Sequence, residues 1–172
     1  PINRMLEWEI NLVVMSGKIE EVLKYIEDYL EVPRSEYGGM SACPFAKKER
    51  KSNNIHMDII EGDNTFLECM EKFYESGKDN AIFISDIEMP GNETKSYQDS
   101  LNRELILNAF IHHKALCINP KDEHEVGGFN PRSHSPYFLI LINNQKEINL
   151  AHKKMMETNY FDKMDAKYKK YL

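Results

Sequence analysis

The residues of this chain best equipped for chemistry stand together in Asn130-Pro131-Arg132-Ser133-His134-Ser135-Pro136. Arginine presents a planar fork that matches a carboxylate or a phosphate. Histidine exchanges a proton near neutral pH or acts as a ligand. Serine and asparagine both donate and accept hydrogen bonds. The bracketing prolines restrict the backbone and so hold these groups in place. The pattern suits recognition of a small anionic or amino-acid-like ligand. Arg132, Ser133, Asn130 and Ser135 would be the binding contacts, and His134 the proton carrier or cofactor ligand. The competing reading is a rigid surface loop whose Arg132 ties down helix ends.

A second signal lies upstream in Ser41-Ala42-Cys43-Pro44-Phe45-Ala46-Lys47. Proline favours the first position of a helix, so Pro44 predicts a short helix with Cys43 at its N-cap. Unpaired N–H groups and the positive helix end would then lower the thiol pKa, and Lys47 and Lys48 add positive charge. Cys43 is therefore a candidate nucleophile or redox group. A buried cysteine plugging the helix start and a metal or cofactor contact are the other two readings.

The remaining titratable groups are less suggestive. The six histidines make no metal-binding spacing, and neither C-x-x-C nor H-E-x-x-H occurs, so no metal site is expected. Gly38-Gly39 and Gly127-Gly128 lack the pattern of a phosphate loop. Asp86 and Glu88 follow a strand, where carboxylates either ligate or simply face solvent.

These groups need a scaffold. Ile19, Val22, Leu23, Ile26, Tyr29 and Leu30 recur at helical spacing, with Ser16 as N-cap and Pro33 as stop. Ile55, Met57 and Ile59 alternate as in a strand. Asp63 or Thr65 starts the next helix, and Thr65 with Glu68 forms a capping box. Phe66, Met70, Phe73 and Tyr74 are its inward stripe, and Gly77 its stop. Ala81 to Ser85 is a short strand. A helix from about Ser96 to Lys114 carries Leu101, Leu105, Ala109 and Phe110 inward and places His112 and His113 on different faces. Ala115 to Asn119 is another strand. Tyr137 to Ile142 is apolar on both faces, as in a central, doubly covered strand. Asn143-Asn144 turns into a last helical region with Phe161, Met164, Tyr168 and Tyr171 as its stripe. The order α, β, α, β, α, β, β, α predicts an α/β or α+β fold, with one mixed sheet of four or five strands covered by helices. Ligands in open α/β sheets sit at the carboxyl ends of strands. The 130–136 segment precedes its strand, which by that rule alone is the opposite end.

With 172 residues, the chain is read as one domain, 1–172. Its net charge of −6 argues against a nucleic-acid partner, and the local basic run Lys163 to Lys170 reads as a solvated helix face. Three cysteines, Cys43, Cys69 and Cys117, are not a disulfide framework and fit a reducing, cytoplasmic setting. The apolar run Ile10 to Met15 is too short for a signal core or a membrane span, so no membrane partner is expected. Oligomeric state has no signature here.

Cys43-Pro44-Phe45-Ala46-Lys47 followed by Ser135-Pro136-Tyr137 resembles an uncharacterised bacterial family with a C-P-F-A-K motif near its start and an N-R-S-P-Y-P motif near its end. Gly128-Phe129-Asn130-Pro131-Arg132-Ser133 also resembles a motif of the YqcI/YcgG family, in which G-L-H-P precedes a serine- and arginine-rich run. That family includes haem-dependent enzymes that oxidise nitrogen in amino-acid-like substrates. The resemblance spans about Ser41 to Tyr168. It implies an oxidoreductase, haem-dependent and oxygenase-like, acting on an anionic or amino-acid-like substrate. Asn130 stands where that family has histidine, and asparagine is a poor axial ligand. A haem here would need His56, His134 or Cys43. The readings that remain open beside it are a non-catalytic binding or interaction protein and a Cys43-dependent hydrolase or transferase.

Overall fold

The computed structural model describes residues 15–62 and 64–163. A helix over residues 15–25 (α1) runs directly into a π-helical turn, Ile26–Leu30. The wider turn is closed by Glu31 N–H donating to the Ile26 carbonyl at 3.0 Å. Val22, Tyr25, Ile26 and Leu30 are its buried side chains, as helical spacing demands. Ser16, the expected N-cap, lies inside α1, where its hydroxyl reaches Glu20. The remaining elements are α2 (Ala46–Lys51), β1 (Ile55–Ile60), α3 (Phe66–Glu75), β2 (Asn80–Ser85), α4 (Thr94–Leu107), β3 (His113–Ile118), β4 (Phe138–Asn144) and α5 (Gln145–Met156).

The fold is mixed α/β, with one four-stranded sheet in the order β1-β2-β4-β3. β1 and β2 are parallel, and β4 is antiparallel to both β2 and β3. β1, β2 and β3 therefore run the same way, and β4 is inserted against them. Alternation sends Ala81, Phe83, Ile140, Ile142, Ala115 and Cys117 to one face, against Phe66, Met70 and Phe73 of α3 and Leu101 and Leu105 of α4. Ile59, Ile82, Ile84, Ile118 and Leu139 face the other way, against α1 and the π-helical turn. Both crossover helices lie on one face, as two successive crossovers in the same direction and of one hand require. Ile140 and Ile142 are fully buried on one side of β4 and Leu139 almost so on the other, which bears out the doubly covered strand.

Side chains hydrogen-bond to the backbone of both sheet edges. Asn102 of α4 accepts from Ala115 N–H and donates to the Ala115 carbonyl, at 2.9 and 3.0 Å, much as a neighbouring strand would. Gln98, one turn earlier, accepts from Cys117 N–H at 2.9 Å. On the other edge the Asp58 carboxylate accepts from Ile59 N–H, and Asn64 donates to the Ile59 carbonyl. Unpaired edge groups invite association with another chain, and these bonds satisfy part of each edge internally.

Several boundaries differ from the sequence reading. The α3 capping box is formed, with the Thr65 hydroxyl and the Glu68 carboxylate each serving the other's backbone. Tyr74, however, is 70% exposed, and Cys69 takes its place in the buried stripe. α4 stops at Leu107, seven residues before Lys114. Phe110 N–H donates to the Leu105 carbonyl and Ala109 N–H to the Ile106 carbonyl, a helix-ending pattern that places Ala109 in the left-handed region at φ 64°. That position usually carries glycine, so alanine there hid the stop. Ala109 is exposed, and His112 and His113 belong to a turn and to β3. Asn144 ends β4 and caps α5 by accepting from Lys146 N–H. Phe161 lies in a turn after α5. The expectations for Asp63, for Met164, Tyr168 and Tyr171, and for most of Ile10 to Met15 and Lys163 to Lys170 fall outside the described residues.

His56 of β1 and His113 of β3 both pack on the Phe73 ring, at 6.2 and 5.3 Å between centroids. Desolvation lowers both pKa values from the ordinary imidazole range, more than the fields of Asp58 and Asp79 raise them. The folded state therefore favours the neutral form of both rings more than the unfolded chain does. The unfolded chain protonates first, near the usual value of about 6.5, so stability present above that pH declines as pH falls through it. Melting temperature should fall between about pH 7.5 and 5.5, and replacing both histidines with glutamine should flatten that slope. An unchanged slope in the double variant would place the acid sensitivity elsewhere.

Candidate functional site

Because β4 is antiparallel, its first residues lie beside the last residues of its neighbours. Phe138 pairs with Ser85 at the end of β2, and Leu139 with Ile118 at the end of β3. The 130–136 loop therefore sits at the carboxyl ends of three parallel strands, the end that ligands favour in open α/β sheets. This overturns the placement expected from sequence. The same rim holds Lys18, whose ammonium bridges Glu61 after β1 and Asp86 after β2 at 3.2 and 2.9 Å. Burial opposes the Lys18 charge, yet the hydrogen bonds and fields of Asp86 and Glu61 outweigh it and hold its pKa above the ordinary value. Glu88 pairs with Lys121 at 3.0 Å.

Most polar groups of the loop are already engaged within the protein. The Arg132 guanidinium forms an ion pair and hydrogen bond with Asp122. Asn130 donates to the Asp122 carbonyl and accepts from Arg132 N–H and Ser133 N–H. The Ser133 hydroxyl donates to the Asn130 carbonyl at 2.9 Å. Ser135 is buried and donates to the Tyr137 carbonyl at 2.7 Å. Tyr25 of α1 reaches across and donates to the Pro131 carbonyl at 3.0 Å. These bonds shape the single 3-10 turn Arg132–His134. Arg132 is thus a strut between this loop and residue 122, although its partner Asp122 lies in no helix, unlike the helix ends that the competing reading expects it to tie down.

His134 is different. Its ring is exposed and lies flat on Tyr29, at 4.1 Å between centroids and 10° between planes. It also stacks on Phe129 at 6.0 Å and 23°. Among the described residues, no hydrogen bond engages the imidazole nitrogens. On Phe129 also rests the Arg34 guanidinium, 3.7 Å from the ring centroid. Tyr29, His134, Phe129 and Arg34 form a run of flat groups along the rim. Sequence reasoning found only His134. By spacing Tyr29 is one more residue of the apolar stripe from Ile19 to Leu30, and Arg34 belongs to no motif. Nothing local marks either as meeting His134.

Cys43 does not have the setting expected of it. α2 begins at Ala46 with Phe45 as its N-cap, so Cys43 stands two residues before the cap. The side chain packs against the core on the α1 face of the sheet. Desolvation raises its thiol pKa, outweighing hydrogen bonds from the Ala46 and Phe45 backbone that lower it. The fully buried Cys69 and Cys117 are likewise pushed up to about 12 by desolvation. The structure thus corrects the expectation of an acidic Cys43 thiol.

The other groups put forward for a cofactor are scattered. Asn130 is locked by its three hydrogen bonds and cannot serve as an axial ligand. His56 lies near the amino end of β1, with Nε2 buried away from this rim. A haem reading would rest on His134 alone. Among the described residues no group of three His, Cys, Asp or Glu side chains is arranged to hold a metal ion, and no helix is long and apolar enough to cross a membrane. An open cleft of about 580 Å³ is lined by His112, Asn144, Lys146 and Leu150, at the amino end of the sheet and away from the loop. A smaller one, about 370 Å³, lies along α3 beside Asn64 and Lys72. Comparison with family models, curated proteins and solved structures finds no match to this chain.

Two outcomes follow from this geometry. Arg132→Ala should destabilise the fold by about 1.5–3 kcal/mol, the worth of a charge-assisted hydrogen bond, because Asp122, with only 16% of its side chain exposed, loses its partner. Denaturant melts of this variant and of Asp122→Asn check it, and an unchanged midpoint in both would remove the strut. Alkylation of Cys43 followed across pH should show a midpoint above about 8.5, the free-thiol reference. A midpoint below that value would restore the reactive reading.

Proposed function

We propose that this chain binds a small anionic or amino-acid-like molecule at the carboxyl rim of its sheet, and that His134 exchanges a proton with it. The observation that carries this reading is the position of His134. It is held by stacking at the ligand-favoured end of three parallel strands, and among the described residues nothing hydrogen-bonds either of its nitrogens. A histidine oriented by ring contacts alone can donate and accept without first breaking a bond to the protein. General acid–base catalysis needs such a group within hydrogen-bond reach of the reacting atom. Asn130, Arg132, Ser133 and Ser135 support the loop rather than reach the ligand, so their role is to position His134. The Lys18–Asp86–Glu61 group sets the charge of the neighbouring rim.

The test is a panel of amino acids, keto acids and phosphate monoesters, followed through the ring resonances of His134. At least one class should shift them saturably. His134→Ala should then weaken that binding by roughly threefold to tenfold, the worth of one hydrogen bond, with the fold intact. A panel that leaves His134 untouched would sink this reading. It would favour a non-catalytic interaction protein, for which α5, with no buried residue and with Leu150 and Met156 exposed, offers a surface.

A further inference from the structure

We infer that Arg34, and not Arg132, is the anion anchor of this site, and that the ligand is a carboxylate carried on a flat body. The inference rests on the reading of His134 given above. The planar fork of an arginine recognises carboxylates, and the 130–136 loop carries one in Arg132. Asp122 pairs with one terminal nitrogen of Arg132, and Glu27 and Glu31 occupy the fork of Arg50. Among the described residues, no carboxylate lies within ion-pair distance of Arg34. Glu36 and Tyr37 feel its charge without pairing with it.

Arg34 is also held in place. Its N–H donates to the Met40 carbonyl at 2.9 Å, and its own carbonyl accepts from Tyr37 N–H and Gly39 N–H at 3.1 and 2.9 Å. Gly38, at φ 64°, takes the left-handed conformation that lets the loop close on itself. The side chain then lies flat on Phe129, a favourable arrangement for a guanidinium. Stacking holds it there although Nε is buried and finds no acceptor. Nε itself is out of reach of an external anion, but the terminal amino groups, which make no hydrogen bond or ion pair among the described residues, are left for an anion from outside.

The company it keeps defines the rest of the ligand. Phe129 carries Arg34 at 3.7 Å and stacks with His134 at 6.0 Å, and His134 lies on Tyr29 at 4.1 Å. A flat ligand body lying across the edges of this run can set its carboxylate towards Arg34 and a polar atom towards His134. Aromatic amino acids and other flat acids combine these features. A compact phosphate offers the charge without the plane.

Benzoate and benzamide separate the two contributions, because they share a ring and differ in charge. Binding is read from the His134 ring and Arg34 Nε–H resonances. Benzoate should saturate both sets of signals and bind at least tenfold more tightly than benzamide. Arg34→Gln should bring benzoate down to the benzamide level, and Arg34→Lys should recover only part of the loss, because a point charge lacks the planar fork. Equal binding of the two probes at His134 would overturn the anchor while leaving the site in place. Tight benzoate binding that survives Arg34→Gln would assign the anion to another cation. If neither probe reaches His134, both this inference and the proposed site fall. Should Arg34→Gln not fold, the Arg34→Lys variant and a shift of the wild-type Arg34 Nε–H resonance by benzoate but not by benzamide decide.

Discussion

A strand placed between two others must hydrogen-bond on both sides, and a strand covered by helices on both faces must be apolar throughout. β4 meets both demands. It pairs with β2 along one side and β3 along the other, and its side chains alternate between the two cores. Burying an aliphatic side chain of this size is worth about 1.5–3 kcal/mol, and Leu139, Ile140 and Ile142 together bind the two helical layers to one sheet. The direction of β4 matters as much as its composition. Running against its neighbours, it delivers the loop before it to the carboxyl ends of β1, β2 and β3. A parallel β4 would have left that loop at the other end.

The insertion of β4 leaves β1 and β3 as the sheet edges, and side chains satisfy part of each without further strands. Asn102 reproduces the donor and acceptor of a peptide unit against Ala115, while Asp58 and Asn64 serve Ile59. These polar side chains belong to the covering helix, to the strand itself and to the loop that follows it. Asp58 is thereby explained as a structural carboxylate, although it is buried and lies beside Cys69 and Lys72. A buried acid near a thiol invites a catalytic reading, but here the backbone it satisfies accounts for its position.

The rim at the carboxyl ends divides its polar groups by the same logic. Groups that shape the loop are saturated from within, and groups held by stacking keep their hydrogen-bonding capacity. Asn130, Arg132, Ser133 and Ser135 belong to the first kind. His134 and Arg34 belong to the second, because an aromatic face fixes a ring or a guanidinium without using its N–H groups. The π-helical turn contributes here by carrying Tyr29 to the His134 ring, an example of the functional placement often associated with such turns.

Much of the architecture is legible in the sequence because it depends on local chemistry. The alternation of Ile55, Met57 and Ile59, the Thr65–Glu68 capping box and the unbroken apolar run to Ile142 each specify their element from within a few residues. The end of α4 was not legible, because Ala109 adopts a conformation that only the closing hydrogen bonds of Phe110 and its packing against the core enforce. The candidate site was legible only in part. The segment 130–136 marks itself by composition, and its prolines announce a fixed loop. Which of its residues remain free was decided by Asp122, eight residues or more away, and by Tyr25, over a hundred. The joining of Arg34, Tyr29 and His134 was decided by the antiparallel course of β4. Local sequence determines how a segment bends and which face it buries. It does not determine which distant partner satisfies a charge, because that depends on strand order and direction, which are set by the packing of the whole sheet.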